Sequence, residues 1–277
     1  MISMQIKDKI RNISNKRNID FNTVFRLYMY DRFIERLALS KYSENFILKG
    51  GFYLSTLFGI ENRSTMDIDT ALTKISFSKE NIIKIINEII LIDIKDDAKI
   101  YVSNITDINM LNGYVGYRVT ITIMLESIKE IFHIDIVMND VIASEITRYE
   151  YYPILSETSI ELWTCNLESV LSEKIETILS RAEANSRMRD FYDIFLIYKT
   201  SFNNINKRNL RKVVRITFEN RKYNGDIINT IYQIKNSNIL KDRWNIYSRK
   251  NSYTENISYE DVVNCLENLI KVITKTK

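Results

Sequence analysis

The hydrophobic pattern of this chain changes character after Pro153, its only proline: interleaved strand and helix periods give way to helical runs alone. Upstream of it, "AKIYVSNI" (98–105), "GYRVTITIML" (116–125) and "IFHIDIVM" (131–138) alternate their side chains and are rich in β-branched and aromatic residues. That is the pattern of half-buried strands. Downstream, "NLESVLSEKIETILSRAEA" (166–184), "RDFYDIFLIYKT" (189–200), "NLRKVVRITFENR" (209–221) and "SYEDVVNCLENLIKVIT" (258–274) repeat apolar residues at helical spacing. The upstream part also contains helical runs: "DFNTVFRLYMYDRFIERLAL" (20–39) with Asp20 as N-cap, "FYLSTLFG" closed by Gly59, and "SKENIIKIINEIILI" (78–92) capped by Ser78. "STMDIDTAL" (64–72) alternates like a strand, and Asn112-Gly113 and "ESIKE" (126–130) read as turns. The prediction is an α+β fold, with a mixed part over residues 1–150 and a helical part over 151–277.

Composition narrows the function. The chain has 277 residues, 45% hydrophobic and 27% charged, the balance of a globular protein with a real core. Its net charge of +4 permits an anionic partner without demanding one. The basic residues concentrate in "NKRNLRKVVRITFENRKY" (206–223), which reads as a solvated helix face or an RNA-binding patch. Cys165 and Cys265 have no partner histidines, so neither a zinc site nor a disulfide framework follows. His133 is the only histidine, which excludes a multi-histidine metal site. The N-terminal residues lack the apolar core of a signal peptide, and charges interrupt every apolar run before membrane-spanning length. A cytoplasmic protein without a membrane partner is expected.

The chemistry-bearing residues are acidic. In a strand, residues i and i+2 share a face, so "MDID" puts Asp67 and Asp69 together. Such a pair can hold hard divalent cations through oxygen. "FHIDIVM" offers a third carboxylate, Asp135, between two isoleucines, where a charge is costly unless paired or bound to metal. Upstream, Gly50-Gly51 would let backbone N–H groups approach phosphate oxygens. Each signal alone is common. An Asp-x-Asp pair is more often a cap or a surface feature, and a lone strand Asp can face solvent.

A cation sits where apolar residues belong. In "NLESVLSEKIETILSR", Leu167, Val170, Leu171 and Ile178 fall on one arc of the helix, and Lys174 lies near its middle. A lysine there snorkels, forms a structural salt bridge, or meets a bound anion such as a nucleotide phosphate. In "RMRDFYDIF", Asp190 and Asp193 are one turn apart and follow Arg187 and Arg189. Helix-start preference accounts for Asp190 but not for the repeated Arg/Asp pattern.

In order, "FILKGGFYLSTLFGIENRSTMDID", "HIDIVMND", "VLSEKIETILSR" and "RMRDFYDIF" resemble the nucleotidyltransferase toxins of the AbiEii/AbiGii family, over roughly residues 45–198. The resemblance implies a polymerase-β-type nucleotidyltransferase core, a small mixed sheet flanked by helices, with a helical C-terminal region. By its motifs Gly50, Gly51, Arg63, Thr65, Lys174 and Asp193 bind nucleotide. Asp67, Asp69, Lys174 and Asp190 are catalytic, and Asp67, Asp69 and, by chain order only, Asp135 hold the metal. It further implies Mg²⁺ or Mn²⁺ as cofactor, an NTP as substrate, a tRNA 3′ end as acceptor, and a cognate antitoxin as partner in a toxin–antitoxin or phage-defence system. Gly50-Gly51 departs from the Gly-Ser of the wider superfamily and agrees with the toxin family. Three alternatives stay open: a same-fold transferase acting on a protein or small molecule, a kinase-like phosphotransferase, and a non-catalytic binding module. Nothing in the sequence fixes the oligomeric state.

Overall fold

The computed structural model describes residues 4–63, 65, 67–109, 115–138 and 146–274. The turn expected at Asn112-Gly113, and Ser64 and Met66 of the expected strand run, lie outside them. The chain divides into two compact units. The first comprises the described residues up to 138 together with Ile146–Thr164, and the second the described residues from Cys165 onward.

The first unit contains helices α1 (Met4–Arg17), α2 (Phe21–Leu39), α3 (Gly50–Phe58) and α4 (Lys79–Ile90). Its strands are β1 (Phe46–Lys49), β2 (Asp67–Leu72), β3 (Lys99–Asn109), β4 (Val115–Leu125), β5 (Ile128–Met138), β6 (Ile146–Tyr151) and β7 (Ile160–Cys165). They form one mixed sheet in the order β3-β4-β5-β2-β1-β7-β6. β2 runs parallel to β5 and antiparallel to β1, while β3, β4 and β5 form an antiparallel meander.

The predicted helix starts hold. The Asp20 side chain accepts from the Thr23 N–H, and Ser78 Oγ accepts from the Asn81 N–H. Each satisfies a backbone donor that the first helical turn leaves unpaired. α4 buries Ile82, Ile85, Ile86 and Ile89, its i, i+3, i+4, i+7 stripe. α2 buries Tyr30 and Phe33 against Phe132 of β5, with ring centroids 4.6 and 6.0 Å apart. Burying each such side chain stabilises the fold by about 1.5–3 kcal/mol. Ile134 and Ile136 of β5 are fully buried, which turns His133 and Asp135 to the opposite face of the strand.

Two local expectations change. β6 and β7 lie in the sheet, so the division falls after Thr164 rather than at 150/151. β6, "ITRYEY", is an edge strand with polar residues on most positions, so its period is weak in sequence. Pro153 marks the connection between β6 and β7. That connection is tied down by Asp31 of α2, whose buried carboxylate accepts from the Tyr151 hydroxyl and the Ile154 N–H. The turn in "ESIKE" shrinks to Glu126 and Ser127, with Glu126 at φ 53°, and β5 starts at once.

The second unit is helical: α5 (Leu167–Arg181), α6 (Met188–Ser201), α7 (Lys207–Asn220), α8 (Ile227–Asn236), α9 (Asn238–Lys250) and α10 (Tyr259–Thr274). Its core includes Leu171, Ile175, Phe191, Ile194, Trp244 and Leu266. Among the described residues no helix is long and apolar enough to cross a membrane.

Candidate active site

Strand register builds the first cluster. Ile68 is fully buried, so Asp67 and Asp69 occupy the other face of β2, half-buried. Asp69 stands opposite Lys49 on β1 and Asp135 on β5, and Asp135 stands opposite Arg118 on β4. A single row across four strands therefore reads Lys49, Asp69, Asp135, Arg118. Next to it, Asp67 stands opposite His133, whose Nδ1 lies 3.2 Å from Thr120 Oγ1.

The glycine pair is built into the same cluster. Gly50 has φ +61°, in the left-handed region, and a Cβ there would strike the Asp69 carboxylate. A Cβ on Gly51 would lie 2.7 Å from Arg63 Nη2 and 3.0 Å from Thr65 Oγ1. The Gly51 N–H, in the first turn of α3, donates to Asp69 Oδ2 at 3.0 Å. The helix N-terminus thus stabilises a carboxylate, where the sequence suggested a cradle for phosphate alone. Arg63 is 2% exposed, so its guanidinium supports this turn from within. Thr65 is half-buried and lines a small cavity with Arg26, Tyr30 and Phe52.

The Asp135 carboxylate is occupied. Arg118 Nε donates to Oδ1 and Nη2 to Oδ2, each at 2.7 Å, a bidentate ion pair. Hydrogen bonding to Asp135, with smaller contributions from the charges of Asp67 and Asp69, pushes the Arg118 pKa still higher. Among the described residues no group of three His, Cys, Asp or Glu side chains converges closely enough to hold a metal ion. Asp135, expected as a third metal ligand, has both its oxygens engaged by Arg118. Asp67 and Asp69 do fit a hard divalent cation. They are paired oxygen donors on one half-open face, and Asp69 is anchored by a backbone N–H.

A second cluster lies wholly within the second unit. Lys174 Nζ of α5 donates to Asp190 Oδ1 at 2.9 Å and pairs with Asp193 Oδ2 at 2.6 Å, both on α6. Arg187 Nε meets the other oxygen of Asp190 at 2.8 Å. The Lys174 and Asp190 side chains are 11% and 5% exposed, and Asp193 is fully buried. The anion that compensates this buried ammonium is the protein's own pair of carboxylates.

A family model described as nucleotidyl transferase AbiEii toxin, type IV TA system, matches residues 32–266. The chain belongs to the AbiEii nucleotidyltransferase toxin family. Its fold is similar to a candidate nucleotidyltransferase from H. pylori, 14% identical, with 92% of this chain and 96% of that one covered at a TM-score of 0.50. It is also similar to JHP933 from Helicobacter pylori, 12% identical, with 91% of each chain covered at a TM-score of 0.53. No curated protein matches the chain in sequence. At such identities the two structures speak to fold alone.

For an AbiEii-family chain, the structure brings Gly50, Gly51, Arg63, Thr65 and Asp69 together, with Asp67 on the same strand face. Lys174, Asp190 and Asp193 come together separately. Sequence reading missed Arg118 and the placement of His133 beside Asp67. The place of His133 beside Asp67 rests on the parallel pairing of β2 with β5, whereas the partner of Arg118 was recoverable. The Glu126-Ser127 turn sets Leu125 opposite Ile128, and counting outward from there puts Arg118 opposite Asp135 and Thr120 opposite His133.

Proposed function

We propose that this AbiEii-family protein transfers a nucleoside monophosphate from an NTP to the 3′ end of tRNA, blocking translation, and that a cognate antitoxin restrains it. The observation that carries the reading is the half-open Asp67–Asp69 pair with Asp69 held by the first turn of α3. The family description supplies the transferase class and the toxin–antitoxin setting.

Asp67 and Asp69 would hold Mg²⁺ or Mn²⁺ against the phosphates. When bound, the cation supplies charge neutralisation and lowers the pKa of the attacking hydroxyl. The acceptor hydroxyl oxygen attacks the α-phosphorus, the bond to the bridging oxygen breaks, and pyrophosphate leaves. The hydroxyl proton passes to a carboxylate of the pair or to water. Gly50 and Gly51 keep side chains away from this point. Thr65 and Arg63 shape the turn beside it. Lys174 is given charge neutralisation on the phosphates by the family motif, with Asp190 and Asp193 as positioning residues that orient its ammonium.

The test is incubation of the protein with Mg²⁺, tRNA and each α-³²P-labelled NTP, beside γ-³²P controls. Label from the α position should enter tRNA, and Asp69→Ala should not transfer it. Label from the γ position would identify a kinase-like reaction, and label in protein or small molecules a different acceptor. Absence of any labelled product with all four NTPs refutes the proposal.

A further inference from the structure

The row across the sheet ends in a cation that the acidic pair does not account for. A strand carboxylate flanked by buried isoleucines must be compensated. At Asp135 the compensation is bidentate, planar and complete, since both oxygens meet the Arg118 fork at 2.7 Å. Arg118 Nη1 makes no hydrogen bond among the described residues, and the side chain is 41% exposed, so part of the guanidinium faces outward. Arg118 also feels the charges of Asp67 and Asp69. Asp135 is one strand from Asp69, in register with it.

We propose that Arg118 acts as the built-in cation of the acidic face, holding Asp135 out of metal coordination so that Asp67 and Asp69 alone carry the divalent ion. Asp135 is then an anchor for Arg118, and the outward edge of Arg118 is a fixed positive group for phosphate. The inference rests on the transferase reading only in taking Asp67 and Asp69 as the metal ligands. A mobile second ion would have to displace the guanidinium from both Asp135 oxygens at once.

Mn²⁺ binding, counted by EPR of the free ion without nucleotide or RNA, tests this directly. Asp135→Asn should bind Mn²⁺ within about threefold of the wild-type affinity, whereas Asp69→Ala should weaken it at least about tenfold. Arg118→Met removes a like charge and frees a third carboxylate, and should tighten Mn²⁺ binding at least about tenfold. The Arg118→Met/Asp135→Asn double variant should return to the wild-type level. Loss of Mn²⁺ affinity in Asp135→Asn as large as in Asp69→Ala overturns the proposal. So does an Arg118→Met protein that binds Mn²⁺ no more tightly than wild type. The Asp135→Asn arm decides the question even if Arg118→Met does not fold. Failure of the labelling reaction with these affinities intact would refute the transferase reading and leave this inference standing.

Discussion

The two charged clusters use the same residue types to opposite ends. On the sheet of the first unit, Asp67 and Asp69 project side by side from one strand face and stay half-exposed, with like charges two residues apart. Between α5 and α6, Asp190 and Asp193 are buried and face one ammonium that meets both. Mutual repulsion on the open face is a cost that a divalent ligand can relieve. In the closed cluster the compensation is internal, and the ion pairs tie α5 to α6 and fix the Lys174 ammonium in place. One arrangement keeps its carboxylates on a half-open face, and the other encloses them around an ammonium.

The largest effect should come from opening the closed cluster. Lys174→Met removes the ammonium that Asp190 and Asp193 share, leaving Asp190 its Arg187 contact, and should cost about 3–5 kcal/mol, read as a fall in the urea midpoint. A loss below about 1 kcal/mol would mean that the cluster behaves like an exposed ion pair, and the contrast fails. Asp69→Ala should lower transfer of α-label by at least about 10²-fold while the urea midpoint changes little.

Asp31 sharpens the contrast from a third direction, because it is a buried carboxylate held by a hydroxyl and an N–H. Burial pushes its pKa from 3.8 to about 7. The folded chain therefore holds this proton more tightly than the unfolded chain does. The associated stability is fully present below about pH 4 and is lost as pH rises through about 7. The drop in unfolding free energy between pH 4 and 7 should be smaller in Asp31→Asn, by about 1–4 kcal/mol. Equal slopes in the two proteins would remove Asp31 as the cause.

The smallest effect should come from Asp67→Asn. Removing one of two like charges on an open face should leave stability unchanged or raise it by up to about 1 kcal/mol, checked by thermal melting without divalent ions. A clear destabilisation would show that Asp67 holds the fold together.

Much of the site is legible in the sequence. Period-two alternation places Asp67 and Asp69 on one face because that geometry is local to the strand. The caps at Asp20 and Ser78 are equally local, since each satisfies a backbone donor three residues on. Lys174 stands out because helical periodicity alone shows which positions face inward. β6 is not legible, because an edge strand with polar residues has almost no apolar period to detect.

What the sequence determined by itself is thus the set of residues, their faces and the family motifs. Most of their partners were decided by the tertiary structure. The parallel pairing of β2 with β5 brings Asp135 into register with Asp69, and the β4–β5 hairpin then gives Asp135 to Arg118. The packing of α5 and α6 gives Lys174 two carboxylates that lie sixteen and nineteen positions along the chain. The physical reason is common to both. Which face a side chain takes follows from backbone geometry over a few residues, whereas which charge compensates it follows from strand register and helix packing between segments far apart in sequence.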